Sequence, residues 1–190
     1  MADTDPTDEI LLARYARGDA AAFDVLYRRH ELRTWRYLER NAGSRAIAEE
    51  LMQEVWFAVA RDAGRYRPTA RFTTWLFAIA RHRLIDAIRT KRPQLSLDAP
   101  GAELEAVVDR LTTDPDAGPL AQVVVRDLAA ALRLALARLP LEQRDAFLLQ
   151  LEGDLSVEEV ASVTRASVET AKSRLRYART RLRELLQEYA

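Results

Sequence analysis

The chain has 190 residues, 29 Lys/Arg against 29 Asp/Glu, and an apolar content of 48%. That length holds one ordinary domain or two small ones, and the apolar share excludes wholesale disorder. The absence of cysteine excludes disulfides and thiolate metal sites; with His30 and His82 the only histidines, a histidine-based metal centre or catalytic triad has little to build on.

Charged residues at 31%, with only six glycines, favour an all-helical protein. The N-terminus, MADTDPTDE, is acidic and has no apolar segment, so it does not read as a signal peptide. No apolar run approaches the roughly 18 residues of a membrane helix. The expectation is a soluble, cytoplasmic chain without membrane insertion and without a cofactor.

The first predicted helix covers Asp8 to Arg17. Asp19 caps a second, which runs to about Arg40 with an apolar stripe of Phe23, Leu26, Tyr27, His30, Trp35 and Leu38. His30 lies on or beside that stripe and reads as a core or boundary residue rather than a ligand. Asn41 to Ser44 reads as a turn. A third helix, about Arg45 to Ala63, turns Leu51, Val55, Ala58 and Val59 inward and carries Glu49, Glu50, Gln53 and Glu54 near its outer side. Taken alone, that acidic patch is the pattern of a solvated face.

Pro68 interrupts the chain between Gly64 and Arg71, which reads as a loop. The fourth helix places Phe72, Leu76, Ile79, Ala80, Leu84 and Ala87 on one face. Thr74, Ala78, Arg81, Ile85 and Arg89 lie opposite, with Trp75 and His82 on the shoulder. Nine Lys/Arg stand against two Asp from Arg61 to Arg92, about +7. Cationic groups beside aromatics and hydroxyls suit a phosphate backbone and unstacked bases; a solvated face over a core rich in Trp and Phe has the same pattern.

From Pro93 to Pro119 the composition changes to four prolines, two glycines and six acidic residues against one arginine, a flexible acidic linker of about −5. Leu120 to Ala190 is helical again. Leu128, Leu132, Ala135, Leu136 and Leu139 form one stripe, and Pro140 precedes a helix with Phe147, Leu148 and Leu151 that ends at Gly153 and Asp154. Ser156 and Glu159 have the spacing of a capping box. After a short helix, Thr164, Arg165 and Ala166 make a turn, and Ser167 caps a long helix to about Gln187. Val168, Ala171, Leu175, Ala178 and Leu182 are spaced for burial along it. A short helix, a tight turn and a basic second helix read as a helix-turn-helix, which sets its second helix in a major groove. Seven Lys/Arg against Glu169 between Thr164 and Arg183, about +6, supply phosphate affinity.

Three strings carry a family likeness. FTTWLFAIARHRLIDAIR, between a basic loop and a basic tail, resembles the promoter-melting helix of bacterial extracytoplasmic-function (ECF) sigma factors of the sigma-70 family. AEELMQEVWFAVAR is similar to that family's binding surface for core RNA polymerase, and LSVEEVASVTRASVETAKSRLRYARTRLREL to its minus-thirty-five reader. The two helical units that hold them each resemble their own half of the family, in the right order.

The resemblance implies two small helical domains joined by a flexible linker: residues 8–92 for core polymerase and the minus-ten element, 93–119 for the linker, 120–190 for the minus-thirty-five element. It implies minus-ten contacts from Tyr66, Arg67, Arg71, Phe72, Thr73, Thr74, Trp75, Arg81, His82 and Arg89, with Tyr66 the wall for a flipped base. It implies minus-thirty-five contacts from Thr170, Lys172, Ser173, Arg174, Arg176, Tyr177 and Arg179. Glu49, Glu50, Leu51, Gln53, Glu54 and Phe57 would meet the clamp coiled coil of the polymerase's largest subunit; the flap is a second contact, and an anti-sigma factor a further partner. The linker would thread the RNA channel.

Two positions depart from the family pattern. Arg165 and Glu169 stand where glycine is usual. A non-glycine at positive φ costs roughly 1 kcal/mol. Glu169 complements a helix dipole but repels a nearby phosphate, unless it accepts from a cytosine amine. The family members are not enzymes. A helix-turn-helix regulator acting without polymerase and a helical protein-binding adaptor remain as alternatives; the first leaves the Phe72–Arg89 helix unexplained.

Overall fold

The computed structural model describes residues 5–91 and 119–187, and every regular element among them is a helix. The linker expected over residues 93–119 lies almost wholly outside the described residues. The N-terminal unit holds α1 (Asp8–Tyr15), α2 (Ala20–Ala42), α3 (Arg45–Asp62) and α4 (Phe72–Lys91). The C-terminal unit holds α5 (Pro119–Ala137), α6 (Leu141–Gly153), α7 (Val157–Thr164) and α8 (Val168–Leu185).

Side chains at the helix starts explain most of these boundaries. Thr7 accepts from the Ile10 N–H to open α1, and Asp19 from the Ala22 N–H to open α2. The turn expected from Asn41 begins two residues later. Asn41 is buried, donates to the Tyr37 carbonyl and accepts from Arg144, so it stays helical; Gly43, at φ 71°, ends the helix. Ser156 and Glu159 form the capping box, each side chain accepting from the other's backbone N–H. Arg165 ends α7 in the left-handed region at φ 53°, and its N–H still reaches the Ser162 carbonyl at 3.2 Å. The arginine therefore makes the glycine-type turn without distorting it.

Leu11, Leu26, Leu38, Leu51, Val55, Val59, Leu76 and Leu84 fill the N-terminal unit; Leu136, Leu148, Leu149, Val160, Leu175 and Leu182 fill the other. Leu128 and Leu151 stand half in solvent, so the stripes of α5 and α6 are narrower than their leucine spacing indicates.

The two units are packed together, and their buried apolar side chains form one continuous cluster. α6 lies across α2, and α7 lies on α4. Tyr37 and Phe77, both fully buried, meet edge to face at 5.4 Å. Burying a side chain the size of Phe77 contributes about 1.5–3 kcal/mol. Gly153 permits the close approach: a Cβ there would lie 3.2 Å from the Phe77 ring.

Candidate nucleic-acid interface

At the start of α4 an aromatic ladder runs from core to surface. His30 faces Phe72 at 5.2 Å, Phe72 faces Trp75 at 6.1 Å, and Trp75 faces Tyr66 at 5.1 Å. The Tyr66 hydroxyl donates to the Ala70 carbonyl at 2.6 Å and closes the loop, and burial pushes its phenol up. Beside it lies a cleft of about 370 Å³ whose lining includes Glu9, Ile10, Ala13, Arg17, Tyr66 and Pro68. Glu9, on α1, accepts the Phe72 N–H at 2.9 Å. It thus caps the first turn of α4, whose N-cap position is occupied by Arg71, a side chain with no acceptor.

The expected minus-ten residues divide three ways. Tyr66, Phe72 and Trp75 form the ladder; Phe72 is fully buried, so in this conformation it supports Trp75 from beneath. Arg67, His82 and Arg89 are exposed, with His82 3.3 Å from Asp86. Arg71, Thr74 and Arg81 are held by the C-terminal unit. Thr73 is half-buried and its hydroxyl has no partner among the described residues.

The contacts of that third group are specific. Arg71 donates twice to Glu159, at 2.9 and 2.7 Å, and once to the Asp154 carbonyl at 2.6 Å. The Thr74 hydroxyl donates to Glu159 at 2.6 Å. Arg81 donates to Asp145 at 2.7 Å, and Asp145 also accepts from Tyr37. The Arg71 guanidinium first, then the Thr74 hydroxyl and the Ser156 N–H, hold the Glu159 carboxyl down at about 2 against partial desolvation. Arg40 pairs with Glu152 in the same interface; there burial dominates, raising the Glu152 carboxyl and lowering Arg40.

On α3, Glu49, Glu50, Gln53 and Glu54 are exposed, and Phe57, 70% exposed, stands beside them. Glu49 pairs with Arg45 at 3.0 Å and Glu54 approaches Arg83 at 3.9 Å. Leu51 does not belong to this surface. It is 3% exposed, on the inward side of α3, and carries the patch rather than forming it.

On α8, Thr170, Lys172, Arg176, Tyr177 and Arg179 are exposed, and Ser173 and Arg174 half-buried, while Ala171, Leu175, Ala178 and Leu182 face the core. Ser167 accepts from the Thr170 N–H at 3.1 Å. Lys172 pairs with Glu169 at 3.1 Å, which holds that acidic side chain at the lysine. Arg176 lies over the Tyr177 ring at 5.0 Å, and Arg179 bonds to Gln150. Among the described residues no cluster of His, Asp and Glu is placed to hold a metal, and no helix is long and apolar enough to cross a membrane.

Residues 26–94 match the family model for sigma-70 region 2, and residues 129–182 that for sigma-70 region 4. The chain is 33% identical to the ECF RNA polymerase sigma factor SigM of Mycobacterium tuberculosis, an alignment covering 95% of this chain and 85% of that one. It is 31% identical to the RNA polymerase sigma factor CarQ of Myxococcus xanthus, over 93% and 96%. Its fold is that of CnrH in complex with the cytosolic domain of CnrY, with a TM-score of 0.65, 22% identity, and 96% and 99% of the two chains covered. It is also that of the sigma factor RpoE in complex with the anti-sigma factor NepR from Bartonella quintana, with a TM-score of 0.63, 20% identity, and 81% and 89% covered.

Proposed function

The chain belongs to the ECF RNA polymerase sigma factors of the sigma-70 family, and on that premise we propose how its residues divide the work of promoter selection. It is a transcription initiation factor that directs core RNA polymerase to promoters. In our reading it contributes binding energy rather than chemistry: it is not itself an enzyme, and it acts in the cytoplasm with the polymerase.

The N-terminal unit takes the minus-ten element. Tyr66 offers a stacking face at the cleft between α1 and the loop before α4, with Trp75 packed against it, and base–aromatic stacking contributes about 1–3 kcal/mol per base. That gain offsets the few kcal/mol of extruding a base from the duplex. Arg67, Arg71, Arg81 and Arg89 neutralise the strand's phosphates, with Thr73, Thr74 and His82 as hydrogen-bonding partners. The C-terminal unit lays α8 in the major groove at the minus-thirty-five element, Lys172, Ser173, Arg174, Arg176 and Tyr177 facing the groove and Thr170 and Arg179 the backbone. The exposed Glu49, Glu50, Gln53, Glu54 and Phe57 bind core polymerase at its clamp coiled coil. An anti-sigma protein is a further partner, in keeping with the complexes whose fold this chain shares.

The observation that carries this reading is the ladder ending in Tyr66 at a cleft beside α1, ahead of the basic helix α4, on the segment that matches sigma-70 region 2. Permanganate footprinting on a promoter tests it. Tyr66→Ala holoenzyme should occupy the duplex as wild type does and melt it poorly; equal loss of both steps contradicts base capture.

A further inference from the structure

Helices α2, α3 and α5 border a groove of about 870 Å³, within the size range of small-molecule sites. Its floor is apolar: Leu32, Trp35, Met52 and Leu132 line it, and Leu32 is 44% exposed. Its charges are nearly matched. Glu49 pairs with Arg45 at 3.0 Å, Glu39 approaches Arg133 at 3.9 Å, and Glu31 stands at the Tyr27 hydroxyl. Arg40 is taken by Glu152. Arg36 is left over. Its Nε is buried with no hydrogen-bond partner among the described residues, and its charge acts on Glu152 only behind that of Arg40. A buried donor without an acceptor is a standing cost that a bound anion removes.

We propose that this groove is a binding site for a small amphipathic carboxylate, its head on the Arg36 guanidinium and its apolar body along Leu32, Trp35, Met52 and Leu132. One unmatched guanidinium suits one carboxylate, whose two oxygens fit the fork of donors. A polyphosphate needs several free cations and meets Glu31, Glu39 and Glu49 instead. A neutral apolar ligand leaves Arg36 unpaired. Glu49 and Gln53 line the groove and also belong to the surface proposed for core polymerase, so an occupied groove opposes holoenzyme assembly. That consequence rests on the polymerase assignment above; the site itself does not.

Isothermal titration calorimetry of the full chain with decanoate, phenylbutyrate and phenylbutyramide tests the site. The two carboxylates distinguish an aliphatic body from an aromatic one, and the amide keeps the aromatic body without the charge. The expected result is saturable one-to-one binding of at least one carboxylate, weakened about tenfold in Arg36→Gln, the loss of one charge-assisted pair. Because Arg36 also helps to balance Glu152, Leu32→Glu supplies a second variant at an exposed position. It sets a carboxylate on the floor and should abolish binding. No saturable binding of either carboxylate overturns the site. So does binding that survives both variants, or an amide that binds as tightly as its carboxylate.

Retention of core polymerase on the immobilised chain, with and without the carboxylate that binds, tests the consequence. The ligand should reduce retention by wild type and not by Leu32→Glu. Retention unchanged by ligand yet lost in Glu54→Lys overturns the coupling and keeps the polymerase assignment. Retention unchanged by both means that the assignment has failed, and the coupling with it.

Discussion

The Tyr37 hydroxyl donates to the Asp145 carboxylate at 2.7 Å across 108 residues of chain, with both side chains almost wholly buried between the two units. Arg81 completes the set from α4. A phenol, a carboxylate and a guanidinium from three helices satisfy one another where water is excluded, so removing different members has different costs.

Tyr37→Phe takes one donor from a carboxylate that retains Arg81. The destabilisation should be about 1.5–3 kcal/mol, the range for hydrogen bonds to charged groups. Asp145→Ala leaves both Tyr37 and Arg81 facing the gap and should cost about 3–5 kcal/mol. Urea melts of the two variants check the order. A Tyr37→Phe chain less stable than Asp145→Ala contradicts it.

Glu159 makes a pH prediction with a definite sign. Its carboxyl is held at about 2, below its ordinary 4.5. A depressed carboxylate stabilises the fold above its ordinary value and loses that contribution as pH falls through the folded value. The stability gap between wild type and Glu159→Gln should therefore be constant above pH 5 and narrow between about pH 4.5 and 2. Denaturant melts at neutral pH and at steps below pH 4.5 measure it. A gap that widens on acidification contradicts the assignment.

Glu9 acts at a distance in sequence and close in space. Glu9→Ala removes the cap from α4 and should cost about 1 kcal/mol, whereas Glu9→Gln, which keeps an acceptor, should cost less. Because the Tyr66 loop leads into that first turn, Glu9→Ala should also slow promoter melting. Thermal melts with open-complex kinetics test both; unchanged melting kinetics would make Glu9 a fold residue only.

Lys172→Ala with Arg176→Ala removes two cations from the exposed face of α8. If both meet phosphates or groove edges, the slope of log affinity against log salt for a minus-thirty-five duplex should fall by up to roughly 2, about 0.9 for each phosphate left without its cation. A slope unchanged from wild type places that face away from DNA.

Much of this architecture is legible in the chain. Asp19, Ser167 and the Ser156–Glu159 pair mark helix starts because capping is local chemistry, and those caps are all in place. Arg165 stands at a glycine-type turn and holds φ 53° there. Leu51 is misplaced by a motif of adjacent residues, which ignores the helical wheel: its neighbours Glu49, Glu50, Gln53 and Glu54 point out while it points in.

The docking of one unit on the other is not legible in the same way, since it depends on groups far apart in sequence. A signal exists. Asp145, Leu148, Leu149 and Glu152 share one stripe of α6, and two carboxylates on a buried stripe require cationic or hydroxyl partners elsewhere. Those partners are Tyr37, Arg40 and Arg81. Nothing local identifies them as partners, because the carboxylates they serve lie far along the chain. Glu159 is legible as a cap and hidden as an acceptor, for the same reason.

The central claim is that this chain gives a polymerase its choice of start site. Reconstituted transcription on a genomic template library, with 5′ ends mapped, tests it most directly. Core polymerase with the chain should start at discrete positions preceded by a shared pair of sequence elements, and Tyr66→Ala or Lys172→Ala with Arg176→Ala should weaken those starts. A distribution of 5′ ends identical to that of core polymerase alone would contradict the claim.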